Sequence, residues 1–253
     1  MEVHHHPHVA KKNFKEYFLE FLMIFLAVTL GFFAENIREH AIERNEEKQF
    51  MKSLVDDLQK DSAMLSSNLR GGPIIVLYGD SLRFILKQMP LQGKEEKIYY
   101  YLSLFAQGLS FNFYDRTVSE LKNSGSFRLI QNNAVSDAIM EYDVLIREIK
   151  EYNNIRVENL VQQDLNKQDK LFDVELVPFI RQEILDSNKT LNDIKFPYPP
   201  KLYSYNETDI KEYLNIIFHS GETDKRLLQY SEEAFSKNRL LYSLITKEYH
   251  LNK

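Results

Sequence analysis

The chain has 253 residues, a formal net charge of −5 and no cysteine. The lack of cysteine excludes disulfide bonds, a thiolate nucleophile and a cysteine-ligated zinc ion, and the mild acidity argues against nucleic acid as a partner. Glycine (8) and proline (7) are scarce, which is typical of long helices rather than of β-sandwiches, β-barrels or disordered tails. We therefore expect an all-α fold.

A polar, histidine-rich tail occupies residues 1–16. Imidazole binds zinc, nickel and copper, so this tail is the metal-site candidate. Without a cysteine ligand it would bind a metal weakly and unselectively, and the alternative is a soluble polar tail with no metal. We expect no cofactor. The candidate metal ligands are His4, His5, His6 and His8.

Residues 17–37 read YFLEFLMIFLAVTLGFFAENI and are apolar on all sides, whereas a helix in a protein core would be amphipathic. The uninterrupted part, residues 21–34, would be about 21 Å long as a helix, and the flanking residues extend it toward the hydrocarbon thickness of about 30 Å. A cleaved signal peptide would need small residues where Phe32 and Phe33 stand. The pattern favours an uncleaved, single-pass membrane anchor over a core helix or a signal peptide.

The orientation of this anchor depends on its flanking positive charges, which are nearly equal in number. We expect the N-terminus inside and the soluble domain outside. The charges are Lys11, Lys12 and Lys15 before the segment, and Arg38, Arg44 and Lys48 after it.

One stripe of the anchor carries Ala27, Gly31 and Glu35 at steps of four residues. Ala27 and Gly31 form a small-xxx-small pair, which lets two helix backbones approach closely in lipid. We predict an oligomer interface at these three residues. Two alternatives remain: Glu20 and Glu35 lie only at headgroup depth, or they line an ion or proton path.

Two blocks of sequence resemble a family of single-pass membrane proteins from Bacteroidota that have a histidine-rich N-terminus. The first block is MEVHHHPHVAKKNFKEYFLEFLMIFLAVTLGFFAENIREH, and the second is TVSELKNSGSFRLIQN at residues 117–132. Together they cover roughly a quarter of the chain. The resemblance implies the anchor and the bacterial host class. It implies no catalytic residues, because the family has no assigned activity.

Beyond the anchor, residues 38–70 are expected to form a polar stalk that becomes an amphipathic helix, and the GGP sequence at residues 71–73 is expected to stop it. The hydrophobic periodicity of residues 71–253 predicts a helical soluble domain, which would be a bundle with long helices. Its expected helices cover residues 74–89, 95–109, 116–123 and 134–170, a segment through Pro178 to Leu185, and residues 209–219 and 223–249.

Several local signals accompany these helices. Asp115 is a suitable N-cap and Gly125 a suitable left-handed stop for the helix at residues 116–123.

Residues 192–206 contain three prolines and three tyrosines, which predicts a packed extended loop or a docking surface. Neighbouring carboxylates point about 100° apart on a helix, so we expect solvated faces rather than acid–base pairs at Glu46/Glu47, Asp56/Asp57 and Glu232/Glu233.

These features predict a non-catalytic, single-pass inner-membrane protein with a periplasmic helical domain. It would contact membrane lipid and act as an interaction or scaffold component of the cell envelope, either as a homo-oligomer or as a subunit of a membrane complex. One alternative is a periplasmic ligand-sensing module that signals through a partner. The other is an oligomeric pore or channel lined by the N-terminal helix.

Overall fold

A computed structural model describes residues 13–106, 108–187 and 189–251. The described residues form seven α-helices and no β-strand, which confirms the all-α fold class. The chain divides into two units, Met1–Gln49 and Phe50–Lys253. The helices are α1 (Phe14–Leu86), α2 (Glu95–Phe105), α3 (Arg116–Asn123), α4 (Asn133–Arg156), α5 (Gln162–Leu171), α6 (Leu176–Ser187) and α7 (Glu207–Glu248).

In the first unit, the start of α1 exposes large apolar side chains in every direction. Ile24 is 66% exposed and Phe32 is 72% exposed. Among the described residues, α1 is the one helix that is long and apolar enough to cross a membrane, and none of its most apolar 18-residue window is buried. A core helix would be covered by the rest of the chain, so this exposure argues against the core-helix alternative.

The predicted helix stop at residues 71–73 is wrong, because α1 continues through Pro73 to Leu86. A proline inside a helix removes one backbone hydrogen bond and costs about 3 kcal/mol. Packing offsets this cost, since Leu65 and Ile75 on either side of the proline are buried. The neighbouring Gly72 faces another helix: a β-carbon there would lie 2.2 Å from Leu228 Cδ2 in α7.

A second predicted interruption, near Gly221, is also wrong. The expected helices at residues 209–219 and 223–249 are one continuous helix, α7. Buried residues lie on both sides of the glycine, including Ile217 and Leu227. A continuous buried face therefore outweighs the cost of one glycine, about 1 kcal/mol, in a helix interior.

The remaining helix boundaries are close to the predictions. Helix α3 has the expected bounds, and Gly125 after it has a φ of +72°. Asp115 occupies the N-cap position, but its side chain makes no capping hydrogen bond there. Its carboxylate instead accepts a hydrogen bond from Lys150 Nζ at 2.6 Å. The long helix predicted at residues 134–170 is α4 and α5, joined by the π-helical turn Val157–Val161.

The second unit contains two hydrophobic cores, and both include side chains of α1 and α7. The first core also contains side chains of α3 and α4. The second also contains side chains of α2, α5 and α6. Fully buried members of the first core include Met51, Leu65, Leu121, Ile139, Ile149, Leu227 and Ile245, and those of the second include Leu82, Ile98, Leu102, Phe172, Ile180 and Tyr213.

Two carboxylates of α1 are buried beside the first core. Asp57 Oδ2 accepts hydrogen bonds from the Thr117 backbone nitrogen at 3.2 Å and from Thr117 Oγ1 at 2.6 Å, so it caps the start of α3. Asp61 accepts from the Tyr114 backbone nitrogen at 2.8 Å and from the Tyr142 hydroxyl at 3.0 Å. Burial raises the pKa of Asp61 to about 6 despite these hydrogen bonds.

The expectation of solvated faces for neighbouring carboxylates is correct at four positions and wrong at two. Asp57 and Glu47 are buried, with exposed fractions of 2% and 6%. Asp57 is buried because it satisfies the amide at the start of α3, a role that no spacing in the sequence indicates. The exposed members of the three pairs are Glu46, Asp56, Glu232 and Glu233.

Residues 192–206 form a packed loop. Ile194 and Leu202 are buried, and Phe172 forms an isolated antiparallel bridge with Leu202. The Tyr205 hydroxyl donates a hydrogen bond to Glu95 Oε1 at 2.7 Å. These contacts fix the loop to α2 and to the residues after α5.

Gly79 provides a test of how closely α1 and α2 approach. A β-carbon at Gly79 would lie 2.7 Å from Phe105 Cε2, and the Phe105 ring is buried. We expect Gly79→Ala to lower the free energy of unfolding by about 1–3 kcal/mol, because the ring has to move out of a packed core. Chemical denaturation followed by circular dichroism measures this change.

Gly71→Ala is the matched control, because a β-carbon there meets nothing within 4 Å. This change should raise the free energy of unfolding by about 0.5–1 kcal/mol through helix propensity alone. Equal effects of the two alanines would contradict the close approach of α1 to Phe105.

Candidate functional site

The histidines predicted as metal ligands, His4, His5, His6 and His8, lie outside the described residues. Among the residues that are described, no group of three or more histidine, aspartate or glutamate side chains could hold a metal ion. The metal site of the tail therefore stays a prediction.

The described residues leave the predicted oligomer interface uncovered. Ala27, Gly31 and Glu35 are all exposed, and a β-carbon at Gly31 would meet nothing within 4 Å. Glu35 is paired with Arg38, whose Nε donates a hydrogen bond to Glu35 Oε2 at 3.0 Å. The surface is free for a second helix, and its use as an interface stays a prediction.

The second unit contains a cleft of about 390 Å³ that is absent from the expectations drawn from the sequence. The end of α2, the junction of α4 and α5, α6 and the middle of α7 all contribute to its walls. Apolar and charged groups share the lining. The charged members are Arg156, Asp164, Asp169, Arg181 and Asp224.

The π-helical turn Val157–Val161 forms part of this wall. A π turn holds one residue more than an α turn and often occurs at functional sites. It therefore brings residues five apart onto one face, and Leu160 and Leu165 both line the cleft. Arg156, the last residue of α4, enters the cleft immediately before this turn.

Arg156 forms an ion pair with Asp224 of α7. Arg156 Nη2 lies 2.9 Å from Asp224 Oδ1, and the two side chains are 12% and 2% exposed. Burial raises the pKa of Asp224, and the Arg156 guanidinium offsets this rise only in part. The positive charge of Arg156 is thus already paired with a carboxylate of the same chain.

Asp164 is a largely buried carboxylate of the cleft whose neighbours lie within the chain. Its Oδ2 accepts a hydrogen bond from Gln168 Nε2 at 2.8 Å, and the Tyr213 hydroxyl is a second hydrogen-bonding neighbour. Burial raises the pKa of Asp164, and these hydrogen bonds and the charge of Arg156 offset the rise in part. Burial and then the charge of Asp164 raise the pKa of Tyr213.

Arg181 of α6 is the cationic group of the cleft with unused donors. Its Nε donates a long hydrogen bond, 3.4 Å, to the Ser103 carbonyl oxygen. Within residues 13–106, 108–187 and 189–251, it forms no ion pair with a carboxylate. An arginine has five N–H donors, so most of those of Arg181 are available to a ligand.

Apolar side chains form the rest of the lining. Phe105 and Val177 are buried, whereas Leu165 and Val174 are 50% and 43% exposed at the same cleft. Apolar surface beside a few polar and charged groups in a concave site is typical of a small-molecule site. The arrangement suits binding and orientation of a ligand.

The sequence contains one signal for this cleft. Ile155, Leu160 and Leu165 are spaced by five residues, whereas an α-helix repeats at three and four. That five-residue step matches the π turn. The charged residues gave no signal, because they are distributed over four helices and resemble surface charges in the linear sequence.

No family model, curated protein or solved structure matches the chain.

The buried ion pair provides a test of the cleft. Arg156→Met would leave the Asp224 carboxylate buried without its partner, so we expect the free energy of unfolding to fall by about 3–5 kcal/mol. Without the guanidinium, the pKa of Asp224 should rise further above its unfolded value. The loss should therefore be largest at alkaline pH and shrink as the pH falls and Asp224 takes up a proton. Urea denaturation at several pH values measures both effects.

Lys211→Met is the matched control. Lys211 pairs with Glu207 at 2.7 Å, but the two side chains are 69% and 65% exposed. Its loss should change the free energy of unfolding by less than about 1 kcal/mol. A similarly small effect of Arg156→Met would show that the Arg156–Asp224 pair does not stabilise the cleft.

Proposed function

We propose that the chain is a non-catalytic, single-pass membrane protein that self-associates and serves as an interaction or scaffold component of a bacterial cell envelope. One observation carries the proposal. Thirteen large apolar side chains between residues 17 and 37 are exposed. Burying each such side chain is worth about 1.5–3 kcal/mol, so this surface favours lipid over water.

The proposed location is the inner membrane, with the helical domain in the periplasm. The resemblance of residues 1–40 and 117–132 to single-pass proteins of Bacteroidota supports this location. Membrane lipid would then be the partner of residues 17–37.

The proposed self-association involves the stripe of Ala27, Gly31 and Glu35. In lipid, helices associate through close backbone packing at small residues, and Gly31 offers such a position because a β-carbon there would meet no described residue within 4 Å. The pore alternative has less support, because Glu35 is paired with Arg38 in its own helix. A charge that is neutralised in this way is a poor lining for an ion path.

Leu26→Arg tests membrane insertion. An arginine near the centre of a spanning helix costs about 2.5–3.5 kcal/mol, so the share of the protein that stays in the membrane after an alkaline wash should fall. Ala41→Arg places the same charge at an exposed position of α1 beyond the apolar segment and should have no effect. Loss of both variants from the membrane, or of neither, would contradict insertion of residues 17–37.

Gly31→Leu tests self-association. A bulky side chain there should hold a second helix away and weaken the oligomer by about tenfold, or 1.4 kcal/mol. Native mass spectrometry of protein extracted gently from the membrane measures the oligomer. Thr29→Leu is the control, because position 29 lies about 160° around the helix from position 31. If Gly31→Leu leaves the oligomer intact, the stripe is not the interface.

The ligand-sensing module is a second candidate function, and the cleft favours it. The unused donors of Arg181 lie in one cavity with exposed apolar surface. In this function the helical domain binds a small molecule, and a partner protein carries the signal onward.

A further inference from the structure

We propose that a second copy of this chain packs in parallel against an exposed face of α1 in the second unit, with Ile74, Leu77 and Phe84 at the contact. This inference rests on the proposed self-association and adds to it an interface outside the apolar segment. It follows from the spacing, the shape and the charges of this face.

The first step concerns spacing. Ile74, Leu77 and Phe84 are 48%, 61% and 67% exposed, whereas the opposite side of α1 contributes to the second core. Together with Ser81 and Gln88 they follow steps of three and four residues, which correspond to the a and d positions of a heptad. A β-branched side chain at a, as at Ile74, with a leucine at d, as at Leu77, favours a parallel pair of helices.

The second step concerns shape. A groove of about 530 Å³ lies on the same face. In a parallel coiled coil, a side chain at d inserts into a hole between four residues of the facing helix, at positions a, d, e and the next a. For Phe84 as the inserted side chain, these four positions all line the groove. They are Ser81, Phe84, Ile85 and Gln88. The face thus carries both a protruding ring and the recess that fits it.

The third step concerns charge. Lys94 and Lys97 line the groove together with Asp80 and Ile85. Asp80 pairs with Arg83 at 3.2 Å, but its side chain is 48% exposed and can meet a second cation. In parallel packing, the g position Asp80 of one copy faces the e position Ile85 of the other, and the lysines share that groove. A two-fold axis repeats this contact, so the face is complementary to a copy of itself.

The fourth step concerns direction. Copies of one single-pass protein insert in the same orientation, which their flanking charges set. Their copies of α1 therefore begin on the same side of the membrane. This shared direction favours parallel over antiparallel packing of α1.

The test is disulfide cross-linking of the full chain in its own membrane. The chain has no cysteine, so one introduced cysteine can form a disulfide only with another chain. Leu77→Cys and Phe84→Cys should each give a homodimer on mild oxidation, because parallel packing brings each position against its counterpart, within the Cα–Cα distance of about 4.4–6.8 Å that a disulfide needs. An antiparallel pair cannot do so at both positions, which lie about 10.5 Å apart along the helix.

Met140→Cys is the matched control. Met140 is an apolar side chain of α4 that is 55% exposed and lies outside the proposed contact, so this variant should give no homodimer. Leu77→Asp and Met140→Asp repeat the comparison without oxidation. In native mass spectrometry, Leu77→Asp should weaken the oligomer by about tenfold or more, and Met140→Asp should leave it unchanged. Circular dichroism checks that each variant is folded.

Gly31→Cys separates this inference from the interface proposed in the apolar segment. A homodimer with Gly31→Cys, but not with both Leu77→Cys and Phe84→Cys, would keep that interface and overturn the inference. Homodimers at positions 77 and 84 but not at 31 would do the reverse, and no homodimer at any position would overturn both. Equal cross-linking of Met140→Cys, or a disulfide from positions 77 and 84 to a different protein, would also overturn the inference.

Discussion

Asp57 and Asp61 lie one turn apart on α1, and the first core shields both carboxylates from water. A buried carboxylate is tolerated only when nearby donors compensate for the lost hydration. Asp57 therefore requires the amide at the start of α3, and Asp61 requires the backbone of Tyr114 and the hydroxyl of Tyr142 on α4. Asn238 of α7 completes the arrangement, because its Nδ2 donates to the Tyr142 hydroxyl at 3.1 Å and to the Leu58 carbonyl at 3.0 Å. Two polar clusters one turn apart on α1 thus fix four helices relative to one another.

The first unit poses a different physical problem. Among the described residues, most apolar side chains of residues 17–37 are exposed, so their stabilisation has to come from lipid or from another helix. The cleft brings charged and apolar groups together in one cavity, which suits recognition of a small molecule. A membrane-held helical domain that recognises other molecules is therefore the common element of the proposed functions.

The sequence by itself determined the fold class, the end of α3 and the apolar segment, because these depend on composition, on the left-handed glycine after α3 and on hydrophobic runs that a short window contains. Tertiary structure decided the continuity of α1 through Pro73 and of α7 through Gly221, since burial of residues such as Ile75 and Leu227 outweighs local helix-breaking preferences. It also decided which charges are buried. Asp57 and Asp56 are neighbours in the sequence, but only Asp57 meets the start of α3. The residues that line the cleft are spread along the sequence between Phe105 and Asp224. Only the packing of distant helices brings them together.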